Sequence, residues 1–239
     1  MHTLAYQTLL ALHVAGGATA LVTGLIAMFA RKGGKLHNAV GRIYYWAMFD
    51  VFVTVLGICA LFPTKTFYHF FLMLSIVSFY PSFAGKRVLR LKKKGTQPEQ
   101  LDRFAAWVLL VCGLGMWIYG GGMLYRAETF MAILFWFFGF ISVSNGYRDI
   151  RLFAGKVELE KMHWFYSHLA RMLTSYSAAT TAFLVNIGPR LLPDSTPGWV
   201  EIVLWTAPPT LVGIAIARWT RYYRRKFNPT PKQVPVEAA

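Results

Sequence analysis

Apolar residues along the chain fall into seven long runs, roughly 5–29, 38–62, 66–89, 101–124, 128–152, 162–187 and 199–223. A helix needs about 20 such residues, at about 1.5 Å each, to cross the hydrocarbon of a bilayer. The pattern predicts an all-α, polytopic bundle of seven transmembrane helices. The sixth run, Met162 to Ile187, is the most polar. It carries His163, His168 and Arg171 in its first half, then Thr174, Ser175, Ser177, Thr180, Thr181 and Asn186. One helical stripe on it reads His168, Met172, Ser175, Ala179, Ala182, Asn186, and a second reads His163, Ser167, Ala170, Thr174, Ser177, Thr181. Small and hydroxyl residues let membrane helices approach and bond across the gap. Two such stripes predict a helix enclosed by protein, at the centre of the bundle.

The other runs are more ordinary. The first has a packing face of His13, Gly17, Ala20, Gly24 and Ala27, which turns His13 toward protein. The RKGGKLHNAVGR segment after it contains paired glycines suited to a tight turn. Asp50 stands near the middle of the second run, with Thr54 and Gly57 on its face. Pro81 is expected to kink the third run and Pro208-Pro209 to break the seventh. Five glycines in the fourth suit close helix contact, and Asn145 and Asp149 share a face of the fifth. Gly85–Leu91 and Gly146–Leu152 share the pattern G-x-R-x-x-R-L. Either runs three-four and five-six are a duplicated hairpin, or basic residues simply gather at both helix ends.

Composition agrees with the pattern. Of 239 residues, 56% are hydrophobic and 15% charged, less charge than a soluble domain carries. The formal net charge of +15 does not point to nucleic acid, because the basic residues flank the apolar runs. Of 25 Lys and Arg, 21 fall on one side of the spans, 3 (Lys65, Arg126, Arg190) on the other, and Arg171 lies within a span. The positive-inside bias puts the C-terminus in the cytoplasm and the N-terminus outside, with anionic lipid headgroups as partners on the cytoplasmic face. The first run lacks the basic residues of a signal peptide and is expected to be retained. Residues 1–227 form the transmembrane domain on this account, and 228–239 a disordered cytoplasmic tail. Cys59 and Cys112 lie at different depths and are expected as buried thiols.

Rise arithmetic places the polar residues. Counted from the cytoplasmic edge, His37 lies near zero, Arg42 at ~6 Å, His168 and Asn145 at ~10 Å, Arg171 at ~13 Å and Asp50 at ~18 Å. His13 and His69 belong to the outer half. Three chemistries compete for the inner layer. The favoured one is a b-type haem between His168 and His37 or His163, with Arg42 or Arg171 on a propionate. His13 with His69 would make a second, outer site. The next is a solute or proton path through Asp50, Arg171, His168 and Asn145. The last is an intramembrane zinc site, which fails because His163 and His168, five residues apart, diverge by about 140° around a helix of 3.6 residues per turn. Against each stands a purely structural role: histidines as packing residues, and Asp50 and Arg171 as a buried ion pair. No phosphate-binding loop, dinucleotide fingerprint, serine elbow or CxxC is present, and nothing assigns a catalytic residue, a metal or a protein partner.

Three stretches carry a resemblance: LHVAGGATALVTGLIAMFARKGGKLHNAVGRIYYWAM, VSFYPSFAGKRVLRLKKK (from Val77) and HLARMLTSYSAATTAFLVN. They resemble the bacterial predicted membrane proteins grouped as domain of unknown function 2306. The shared pattern comprises His13, the K-G-G-K-L-H loop with Gly41-Arg42 after it, and H-x-x-x-M followed by T-A-F-L-V in the sixth run. The resemblance implies a multi-pass protein of the bacterial inner membrane and names His13, His37, Arg42 and His168 as candidates, without supplying a reaction. Some relatives carry two adjacent histidines where this chain has Ser167-His168, so His168 alone is the ligand implied there. The expected function is haem-binding or redox-linked, with small-solute or proton transport second and a scaffold or assembly role third.

Overall fold

The computed structural model describes residues 2–93, 96–157, 162–193 and 195–227. Seven helices follow one another: α1 (His2–Phe29), α2 (Lys35–Leu61), α3 (Thr66–Arg87), α4 (Gln100–Tyr125), α5 (Thr129–Phe153), α6 (His163–Leu191) and α7 (Trp199–Phe227). A 3-10 turn, Val88–Lys92, continues α3. The helix limits fall within a few residues of the apolar runs, because the runs themselves set where a helix must bury its backbone. Six helices are long and apolar enough to cross a membrane. The exception is α6, whose histidines, arginine and hydroxyls dilute its apolar content. The tail expected at 228–239 lies outside the described residues.

Successive helices alternate in direction. Contacts such as Phe165 to Tyr223 and Phe227 and Arg87 to Asp102 gather the C-terminal ends of α1, α3, α5 and α7 with the N-terminal ends of α2, α4 and α6. This is called the basic end below. The opposite end is closed by aromatic contacts, among them Tyr6 to Phe62, Phe62 to Tyr68 and Phe70 to Trp205.

Two apolar cores hold the bundle. The larger joins α3, α4 and α5 through Phe70, Tyr80, Leu109, Met116, Leu134 and Phe135. The smaller joins α1, α2 and α6 around Ala20, Tyr44, Ala47 and Met48, with Met172, Tyr176 and Ala179 packed on it. The pair α4 and α5 is the tightest. A Cβ on Gly146 would stand 2.9 Å from the Leu110 nitrogen and one on Gly113 would stand 2.8 Å from the Val143 nitrogen. Trp117 and Trp136 each donate an indole N–H to the other's carbonyl, at 3.3 and 3.2 Å.

Enclosure of α6 holds for its first two thirds. No residue from 162 to 181 is exposed, whereas Ala182, Phe183, Leu184 and Asn186 are. The centre is shared, however: α3 packs against α2, α4, α5 and α6. The break expected in the seventh run does not occur, since α7 passes through Pro208 and Pro209. Membrane helices tolerate proline where neighbouring groups satisfy the freed carbonyls. The two G-x-R-x-x-R-L hairpins differ in packing: α3 lies against α4, while α5 and α6 make no close backbone approach.

Candidate functional site

The chain reverses between α1 and α2 at Gly33, whose φ of 77° is open to glycine and strained for other residues. The turn places His37 in the first turn of α2, beside the last turn of α1. The final carbonyls of a helix have no partner within it and carry the negative end of its dipole. His37 satisfies one of them, its Nδ1–H donating to the Ala27 carbonyl at 3.0 Å. The Lys32 ammonium donates to the same carbonyl at 3.1 Å, and to that of Met28. Partial burial holds the Lys32 ammonium below the usual lysine range.

His168 does the same for α3. Its Nδ1–H donates to the Gly85 carbonyl at 2.8 Å, in the last turn of that helix. Gly85 makes this reach possible: a Cβ there would stand 2.9 Å from the Met172 sulfur and 3.1 Å from Cβ of Arg171. The two imidazoles end up as neighbours, ring centres 6.3 Å apart and planes at 76°. A carbonyl can only accept, so Nδ1 carries the proton in both rings. Each Nε2 is therefore left as the lone-pair nitrogen, the arrangement usual for a metal-ligating histidine. No close backbone approach joins α2 and α6, and at Gly41, one turn along from His37, nothing lies within 4 Å of a Cβ position.

Height along the bundle explains why the count from a common edge separated these two. Its N-terminal turns carry α6 outward to stack on α7 and on the 3-10 turn, where Lys92 lies over Trp164. His168 is thereby level with the first turn of α2.

Arg171 has a different partner from the one expected. It meets Asp149 of α5 through two bonds, Nη1 to Oδ2 at 2.8 Å and Nη2 to Oδ1 at 2.7 Å, and Tyr80 of α3 donates to the same carboxylate at 2.5 Å. The side chains are 8% and 1% exposed, so this is a buried triad tying three helices. Asp50 has no part in it. Side chains lean toward a helix's N-terminus, which carries the Arg171 guanidinium toward the basic end and Asp149. Asp50 stands 15 residues into α2, well past that level.

The remaining candidates disperse. Asn145 bonds within its own helix, to the Ile141 carbonyl, and accepts from exposed Arg148. Arg42 is exposed on another face of α2 from His37. With Arg171 held by Asp149, the cation beside the histidine pair is Lys32. The sequence signal for it was its place in the same K-G-G-K-L-H turn. His69 is used at both ring nitrogens: Nε2–H donates to the Pro63 carbonyl at 2.8 Å and Nδ1 accepts from Tyr119 at 3.0 Å. It has no lone pair left for iron, which removes the outer haem site. His13 donates instead to the Thr54 hydroxyl at 3.1 Å, which donates onward to the Asp50 carbonyl at 2.7 Å. Between the two polar levels Tyr44 donates to Ser175 at 2.8 Å.

At the basic end, Arg87 joins Glu99 and Asp102, and Arg90 joins Glu99. Asp102 also accepts from the Glu99 backbone N–H, capping α4. A cavity of about 20 Å³ lies between this network and the Tyr80–Arg171 triad, room for roughly one water. No family model, curated protein or solved structure matches the chain.

Proposed function

We propose that the chain is a seven-span protein of the bacterial inner membrane, related to the 2306 family, that binds a b-type haem between His37 and His168 and acts in electron transfer. The observation that carries this reading is the histidine pair. Two imidazoles from separate helices present Nε2 lone pairs with ring centres 6.3 Å apart. With metal–imidazole bonds of about 2.0–2.1 Å, two imidazoles at this separation would be close enough to share one metal. The donor set and the ring separation would suit a haem iron held by His37 and His168.

When bound, haem b supplies one-electron chemistry by cycling between ferric and ferrous iron. The chain's own residues would set its properties. The Ala27 and Gly85 carbonyls fix the imidazole tautomers and raise ligand basicity. The Lys32 ammonium is the cation at hand for a propionate. The Tyr44–Ser175 bond and the Ala20–Met48 cluster close the site on its inner side.

The proposed topology has the basic end, and so the C-terminus, in the cytoplasm, with anionic headgroups against the basic residues. In this arrangement the polar first two thirds of α6 lie within the protein, and its apolar end, with Phe183 and Leu184, faces outward.

The test is the visible spectrum of detergent-purified protein expressed with ample haem. A Soret band and stoichiometric haem support the reading. A folded, monodisperse and colourless protein rejects it.

A further inference from the structure

The outer edge of the seam between α2 and α3 carries two cations at the head of an apolar stripe, and neither the histidine pair nor the buried triad uses it. On α2 the exposed residues Arg42, Trp46, Phe49 and Val53 recur at helical spacing, so they share one face. From Arg42 to Val53 the stripe runs about 16 Å by helix rise, close to the about 15 Å of hydrocarbon in one leaflet. The rest comes from α3. Lys86, in its last turn, holds its ammonium 3.8 Å from the centre of the Tyr45 ring and 5.4 Å from that of Trp46. Phe79 fills the seam below, against Tyr45, Phe49 and Phe52.

Aromatic faces position an ammonium without neutralising it. Elsewhere in the bundle carboxylates meet the arginines: Glu99 and Asp102 neutralise Arg87 and Arg90, and Asp149 neutralises Arg171. Arg42 and Lys86 enter no ion pair among the described residues. Both are donors suited to phosphate oxygens. A zwitterionic headgroup brings an ammonium of its own and leaves the pair uncompensated, whereas an anionic phosphodiester without an amine complements it. We infer that this seam is a binding site for one anionic phospholipid. Its phosphodiester sits between Arg42 and Lys86, its glycerol level lies at Trp46, where indoles favour the membrane interface, and an acyl chain runs along Phe49 and Val53. The site rests on the membrane reading of the chain and is independent of a haem at His37.

Tryptophan fluorescence in nanodiscs of phosphatidylethanolamine with a minor fraction of phosphatidylglycerol tests this. One lipid or the other carries brominated acyl chains, which quench indoles in contact with them. The Trp46 signal is the difference between the wild type and Trp46→Phe. Mole for mole, brominated phosphatidylglycerol should quench Trp46 more than brominated phosphatidylethanolamine. Arg42→Gln and Lys86→Gln, both at exposed positions, should each lower that preference about fivefold. Arg148→Gln, on α5, which makes no close backbone approach to α2, should leave it unchanged. A preference that survives the Arg42→Gln/Lys86→Gln double variant, or one that falls equally in Arg148→Gln, overturns the site. Equal quenching of Trp46 by the two lipids also overturns it, while keeping this face in lipid and so sparing the membrane reading. Quenching by neither lipid contradicts both.

Discussion

Arg171 and Asp149 face each other squarely across the bundle, guanidinium to carboxylate, with both nitrogen–oxygen pairs at hydrogen-bond distance, 2.7 and 2.8 Å. Their helix backbones make no close approach. The long arginine side chain spans a gap that the backbones leave, and Tyr80 completes the carboxylate's shell from a third helix. Removing one partner strands the other charge. Arg171→Met or Asp149→Leu alone should cost about 3–5 kcal/mol, and the double substitution distinctly less. Reversible unfolding in mixed micelles measures this. Equal loss in the double variant and the sum of the singles would mean the pair is not coupled.

The α4–α5 seam makes an independent prediction. A Cβ on Gly146 meets backbone atoms of Leu110, which cannot swing aside as a side chain can. Gly146→Ala should destabilise by about 1–3 kcal/mol through forced separation of the helices. Gly121→Ala, with nothing within 4 Å, should be neutral or slightly stabilising. The same unfolding assay compares them, and a neutral Gly146→Ala would refute the close approach.

Acid should loosen the basic end. Hydrogen bonds from Arg87 first and then Arg90 hold the Glu99 carboxyl below the usual glutamate range. A depressed carboxyl contributes stability that is fully present above the unfolded value, about 4.3, and lost as pH falls through the folded one. Between about pH 4.3 and the lower folded value, wild-type stability should fall more steeply than that of Glu99→Gln. Thermal midpoints across that window provide the check, and parallel curves would show that Glu99 contributes no such linkage.

Much of the architecture was legible in the sequence, and particular residues show where legibility ended. The helix limits followed from the apolar runs to within a few residues. His13 was rightly turned inward by the small-residue face it shares with Ala20 and Gly24. Arg171 was misassigned because rise counting follows Cα atoms, whereas the guanidinium reaches about a turn toward the helix N-terminus. The same counting assumed that all helices begin at one plane, which hid the neighbourhood of His37 and His168. Their joint preference for helix-end carbonyls, Ala27 and Gly85, depends on which helices pack, and no single stretch encodes that. His69 looked equivalent to the others until Pro63 and Tyr119 were seen to use both its nitrogens.

Absorption spectra of single-histidine variants purified with ample haem bear most directly on the histidine pair. The account predicts that His37→Ala and His168→Ala each abolish the Soret band of a bis-imidazole haem, while His69→Ala leaves it intact. A band that survives both His37→Ala and His168→Ala, in variants that remain folded and monodisperse, would contradict it.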